Sequence, residues 1–133
     1  MVNFINCTPH ALRLRFDETD GVARPHPLDL VLEPRKGIDG KPLPARVSTT
    51  PGVYYTNING MSVYGPTTYG RVEGLPDPEP DTYFIVSALV GARPEVAGRR
   101  DVLMPGTGPK DLPVRDGEGQ IYAITRLIAV AAI

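Results

Sequence analysis

One cysteine, two histidines and no tryptophan occur among the 133 residues of this chain. Cys7 alone forms no internal disulfide, so a reducing compartment, the cytoplasm, is expected. His10 and His26 are too few imidazoles for a zinc site, and Cys7-x-x-His10 would be half of one with no second half. No metal and no cofactor are expected. An excess of one charge is also missing. Lys and Arg number 14 against 15 Asp and Glu, a formal net charge of −1, whereas a general nucleic-acid binder needs a basic face. The longest apolar run, Ile121 to Val130, is broken by Arg126 and is too short to span a bilayer. Residues Val2 to Asn6 have neither the charged region nor the apolar core of a signal peptide. Neither nucleic acid nor a membrane is an expected partner.

Proline and glycine, by contrast, are abundant, at 15 and 14 residues. They are spread along the chain with apolar runs between them, the punctuation of many short strands and ordered loops in one domain, 1–133. Val2 to Cys7 and Ala11 to Phe16 read as strands. In the second, Leu12, Leu14 and Phe16 alternate with Ala11, Arg13 and Arg15, the period of a half-buried strand. Asp17 to Pro27 is a loop, Leu28 to Leu32 a short strand, Asp39-Gly40 a turn, and Ala45 to Ser48 another strand. Val53 to Ile58 and Met61 to Tyr64 flank Asn59-Gly60, whose residues suit the two positive φ angles of a type I′ turn. That hairpin is predicted to set Tyr55 across from Tyr64. Arg71 to Asp81 is a proline-rich connector. Thr82 to Val86 is a buried strand, Ser87 caps a short helix from Ala88 to about Arg93, Val102 to Met104 is a strand, and Ile121 to Val130 is one long terminal strand. Being apolar on both faces, the terminal strand belongs inside a sheet or in a subunit interface. The predicted fold is mainly β (α+β), a small antiparallel sheet domain with one short helix, oligomeric through that strand.

Few residues carry chemistry. Cys7 and His10 lie on opposite faces if extended, and the oxyanion hole and orienting third group of a nucleophilic dyad are not legible. Gly106-Thr107-Gly108-Pro109-Lys110 superficially resembles a phosphate cradle, but Pro109 removes an amide donor. No catalytic residue is expected. The arginines of the last third are more informative: Arg99, Arg100, Arg115 and Arg126 bracket turns or interrupt a strand, where their planar forks suit phosphate or carboxylate. Asp101 and Asp116 each follow an arginine, which depresses a carboxylate pKa and suits them to orient guanidinium groups. Arg126 either contacts a ligand, forms an internal ion pair with Asp101 or Asp116, or forms an ion pair at a subunit interface. Tyr83 and Phe84 are the candidates for stacking on a base, although tyrosines in hairpins also serve cross-strand packing.

Several blocks, in order, resemble a family of small phage and prophage proteins. Asn6-Cys7-Thr8-Pro9-His10-Ala11-Leu12 is similar to its N-x-T-P-H opening. Ala45-Arg46-Val47, Gly70 through Pro78, Thr82 through Val90, Arg99-Arg100-Asp101 through Pro105, and Val114 through Ile121 follow. The chain departs from the pattern at Cys7, where the family has Leu, and in an extended loop from Pro105 to Pro113. Within this territory it resembles phage proteins that counter Thoeris immunity by sequestering a cyclic ADP-ribose-type signal. That resemblance implies a homo-oligomer in the cytoplasm of an infected bacterial host, with ligand sites between subunits, no metal and no turnover.

The expected function is thus a sponge for a cyclic nucleotide or ADP-ribose-derived signal, with Arg99, Arg100, Arg115 and Arg126 on phosphates and Tyr83 or Phe84 on a base. Nanomolar binding corresponds to about −12 kcal/mol, and charged hydrogen bonds of roughly 1.5–3 kcal/mol each with stacks of about 1–3 kcal/mol approach it. Two other classes fit the chain. A phage structural or assembly accessory would bind no small molecule and would carry a large exposed apolar patch. A small phosphodiesterase-like enzyme would use His10 as general base and consume its ligand.

Overall fold

The computed structural model describes residues 2–131, and the fold is mainly β with one short helix. In chain order the strands are β1 (Asn3–Asn6), β2 (Leu12–Leu14), β3 (Leu30–Leu32), β4 (Arg46–Thr50), β5 (Tyr54–Ile58), β6 (Met61–Tyr64), β7 (Thr68–Glu73), β8 (Thr82–Ile85), β9 (Val102–Pro105), β10 (Val114–Arg115), β11 (Ile121–Ala123) and β12 (Leu127–Ala129); helix α1 (Ala88–Gly91) lies between β8 and β9. Among the described residues no helix is long and apolar enough to cross a membrane.

A four-stranded sheet in the order β1-β8-β9-β12 organises the body. β8 pairs in parallel with both β1 and β9, and β12 runs antiparallel to β9. The continuous β-branched and aromatic run Thr82-Tyr83-Phe84-Ile85-Val86 explains the central place of β8, because a strand covered on both faces needs apolar residues at successive positions. Thr82, Phe84, Ile85 and Val86 are all buried. Parallel neighbours require a crossover, and α1 supplies it between β8 and β9. Ser87 caps the helix by accepting from the Val90 amide at 3.4 Å. The helix ends at Gly91, two residues before the predicted limit, with the Ala92 amide donating back to Ala88. A side chain at Gly91 would collide with Met104, so this helix lies directly on β9. Phe84, Val86, Val90, Val96 and Val102 then form the core with Cys7 and Ala45.

The remaining strands form antiparallel pairs: β2 with β3, β4 with β7, β5 with β6 and β10 with β11. The single terminal strand predicted from Ile121 to Val130 is two strands, β11 and β12. Between them Ile124 pairs with the β2 side, exchanging backbone hydrogen bonds with Arg13 and Arg15 at 2.9 and 2.8 Å. Thr125 Oγ1 donates to the Asp111 and Leu112 carbonyls. The chain is pulled off line at 124–126 and resumes beside β9 as β12.

Two further corrections concern register and extent. A bulge in β5 places Tyr54, not Tyr55, opposite Tyr64, with the rings edge-on and their centroids 5.9 Å apart. β7 occupies the start of the predicted connector, which begins only at Gly74. Its Gly70 faces the bulge of β4, where a side chain would strike Ser48.

The pairs β4–β7 and β5–β6 lie along one chain path. β4 continues through Pro51-Gly52 into β5, and β6 continues through Gly65-Pro66 into β7. The Gly65 amide donates to the Val53 carbonyl at 2.7 Å between the two pairs. The result is a two-stranded arm closed at its tip by Asn59 (φ 50°) and Gly60 (φ 88°), the predicted type I′ geometry.

Candidate functional site

The four arginines read from the sequence do not converge. Arg99 donates from Nε and Nη2 to the two oxygens of Asp101 at 2.7 and 2.8 Å, and again from Nη2 to the Pro76 carbonyl at 3.0 Å. Its fork is therefore engaged within the chain, and the Arg99 hydrogen bonds hold the Asp101 carboxyl below the usual carboxylate range despite partial burial. Arg126 reaches the Lys110 carbonyl and Glu18 Oε2, both at 3.2 Å. The expected internal partners were Asp101 or Asp116; the observed one is Glu18. Arg115 donates to the carbonyls of Gly119 and Thr107 at 2.8 and 3.5 Å. Asp116 orients no guanidinium among the described residues. Its Oδ1 instead accepts from the Glu118 and Gln120 amides at 2.9 and 3.0 Å, closing the β10–β11 turn.

Of the stacking candidates, Phe84 is 2 % exposed and belongs to the core. Tyr83 is half-buried, its ring 6.1 Å from that of Phe4. Tyr83 and Arg100 share a surface depression of about 280 Å³ with Val2, Glu79, Asp81, Thr82 and Asp101. Arg100 makes no hydrogen bond among the described residues, but three carboxylates line the same depression, and the balance of charge there is acidic. A second cavity, of about 150 Å³, is chiefly apolar and is lined by Phe4, Leu14, Phe16, Ile124 and Leu127 together with Arg15, Thr125 and Arg126. Neither cavity contains more than one of the four predicted arginines.

Cys7 and His10 are not brought together as a dyad. Cys7 is fully buried, and burial pushes its thiol pKa up against the opposing influence of Arg35. His10 is exposed.

The strongest electrostatic constellation was not anticipated. Arg15, placed on the outer face by the strand alternation, is 1 % exposed, while Phe16 is 62 % exposed. All five N–H groups of its guanidinium are used. Nε and Nη2 meet Asp29 Oδ1 and Oδ2 at 3.1 and 3.0 Å. Nη1 donates to the carbonyls of Asp20 and Val22, and Nη2 to that of Arg24. Asp29 also accepts from Arg13 Nη1 and the His26 amide, and the Tyr122 ring lies 5.0 and 5.8 Å from the guanidinium carbons of Arg13 and Arg15. The Arg15 hydrogen bonds dominate in lowering the Asp29 pKa to about 2. Loop 17–29 is thus wrapped around a saturated cation. With every donor taken, Arg15 holds the fold and has nothing left for a ligand.

The arm has the opposite character. No charged residue occurs between Arg46 and Arg71. In its distal half Val53, Tyr54, Tyr55, Ile58, Met61 and Tyr64 are 79, 56, 77, 57, 71 and 63 % exposed. At its base Tyr69 is covered by Arg93, whose guanidinium carbon lies 3.7 Å from the ring centroid. A two-stranded hairpin is at best marginally stable alone, and single exposed apolar residues are ordinary, whereas a contiguous group marks an interaction surface. The sequence signal for this surface was present in the uncharged, tyrosine-rich hairpin itself; its solvation on both faces was not legible.

Compared with known protein families, curated proteins and solved structures, the chain matches none.

Proposed function

We propose that this protein is a stoichiometric interaction protein, an assembly accessory of the phage structural kind, that docks through the β5–β6 arm and carries out no chemistry. One observation carries the reading: six apolar side chains stand in solvent on a hairpin within a stretch, 47–70, that has no charge. Interfaces are rich in tyrosine and methionine and depleted of charge at their centre, and the arm has that composition. The setting, a phage or prophage protein in the bacterial cytoplasm, rests on the resemblance of the sequence blocks.

The test places a photo-crosslinking side chain at Ser62, on the arm, and in a second preparation at Glu118, in the β10–β11 turn. Each is expressed in a host carrying the phage assembly proteins. Discrete protein crosslinks from position 62 and none from 118 are expected. Equal crosslinking from both positions, or none from 62, would overturn the reading.

Sequestration of a cyclic nucleotide or ADP-ribose-derived signal is the second reading, favoured by Arg100 standing beside Tyr83 in the depression with its guanidinium unpartnered among the described residues. It needs further cations from a neighbouring subunit to offset Glu79 and Asp81. Incubation with cyclic ADP-ribose isomers and cyclic dinucleotides, followed by heat release and chromatography, separates the two. An untouched panel supports the assembly reading, intact ligand recovered after heating supports the sponge, and a cleaved product would reveal an enzyme.

A further inference from the structure

We infer that the apolar cavity between β2 and the bend at 124–127 is a binding site for a small aromatic carboxylate, its ring in the cavity and its carboxylate on Arg126. This site belongs to the body and stands apart from the docking role of the arm.

The bend builds the cavity. Ile124 is hydrogen-bonded to the backbone of Arg13 and Arg15 on the β2 side, whereas Leu127 pairs with Pro105 of β9. Two apolar residues of one run are thus drawn to different strand pairs, and a hollow of about 150 Å³ lies beside them. Leu14 and Ile124, both buried, line it with Phe4 and Leu127.

Size sets the apolar part of the ligand. A cavity of about 150 Å³ lined by Leu, Ile and Phe takes up benzene, so a single six-membered ring fits here. Phe16, also in the lining, is largely exposed. A bound ring would cover this phenyl group, and aromatic pairs gain more than their buried area alone.

Charge sets the polar part. Arg15 is saturated, and the Thr125 hydroxyl is engaged with the Asp111 and Leu112 carbonyls. Arg126 is the lining group with donors to spare. It reaches the Lys110 carbonyl from Nη1 and Glu18 Oε2 from Nη2, and its other N–H groups have no partner among the described residues. Glu18 marks where a carboxylate can meet this guanidinium, but their ion pair is exposed on both sides and such pairs contribute little. A ligand anchored by its ring presents its carboxylate to the same fork, where two parallel hydrogen bonds are available, and displaces Glu18. A neutral aromatic molecule lacks that contact, and a cationic one meets a like charge.

The experiment follows amide and methyl resonances of the full chain during titration with benzoate. Two controls each lack one half of the ligand: benzyl alcohol has no charge, and acetate has no ring. Benzoate should shift Leu14, Phe16, Ile124 and Leu127 and saturate below about 10 mM. Benzyl alcohol should shift the same residues with affinity about fivefold lower, and acetate should leave them in place. Arg126→Gln should weaken benzoate about fivefold and leave benzyl alcohol unchanged. Glu18→Gln removes the competing carboxylate and should tighten benzoate, whereas a purely structural ion pair would move both variants the same way. Both positions are exposed, and circular dichroism checks that the variants fold. Benzoate that shifts none of these residues, or that binds no better than benzyl alcohol and is indifferent to Arg126→Gln, would overturn the inference. Neither outcome bears on the arm, which crosslinking from Ser62 tests separately.

Discussion

Arg15 and Asp29 face each other as fork and carboxylate, at 3.1 and 3.0 Å, with their side chains 0 and 2 % exposed. Breaking such a pair from one side leaves an uncompensated buried charge, at a cost of about 3–5 kcal/mol. Asp29→Asn should therefore remove a large part of the roughly 5–15 kcal/mol that holds a domain of this kind. Chemical denaturation monitored by circular dichroism checks it. A midpoint unchanged from wild type would mean that loop 17–29 does not depend on the pair.

Acid should act through the same carboxylates. Asp29 titrates at about 2 in the folded chain and Asp101 below its ordinary value, against about 3.9 when unfolded. Below that value the unfolded chain takes up protons that the folded chain does not, so their stabilising contribution is complete above about pH 4 and is lost as pH falls toward 2. Denaturation midpoints measured over this window should decline steeply in wild type and less so in Asp29→Asn.

How much of this was legible follows the range of the interactions. Asn59-Gly60, the Ser87 cap and the buried run Thr82 to Val86 are local signals, and each formed as the residues predicted. Asp101 beside Arg99 is equally local, and that pair formed. Arg15 is the contrary case: nothing in Leu12-Arg13-Leu14-Arg15 separates the inward arginine from its neighbour, because the acceptors that admit it to the interior are carbonyls of Asp20, Val22 and Arg24 and a carboxylate 14 residues away. Arg126 and Glu18 are 108 residues apart, beyond any pattern along the chain. Ile124 is apolar enough for a strand, but which strand it joins depends on β2. The scatter of the candidate arginines has the same origin: Arg99, Arg115 and Arg126 each meet acceptors of their own within the chain, while Arg100 lines a separate depression.

Cys7 should be inert in the folded protein. It is fully buried, and burial raises its thiol pKa, suppressing the thiolate that reacts. Labelling with an aromatic disulfide should proceed only at the rate of opening, and should complete at once in denaturant. Rapid stoichiometric labelling under native conditions would show that the core around Ala45 and Val86 opens readily.

Arg126→Ala should leave the fold intact. Its ion pair with Glu18 is exposed, 41 and 48 % for the two side chains, and pairs of this kind contribute about 0–1 kcal/mol. The melting temperature should fall by no more than a few degrees, roughly 4–8 °C per kcal/mol for a small domain. If the variant also leaves the nucleotide panel undepleted, as wild type should, the guanidinium has no part in a nucleotide site; depletion by wild type that vanishes in the variant would return Arg126 to one.

Gly52→Ala tests whether the arm folds separately from the body. An added methyl at position 52 would collide with the Gly65 carbonyl, and strand residues 54–58 and 61–64 extend from that crossing. The core cluster of Phe84, Val86, Val90 and Val102 lies on the four-stranded sheet and does not include the crossing. The substitution should therefore splay the distal hairpin without reaching the sheet. In hydrogen exchange, amides of 53–64 should lose protection while those of β8 and β9 keep theirs. Uniform loss of protection across arm and sheet would mean instead that arm and body fold as one unit, with the exposed tyrosines sustained from below and not by a partner.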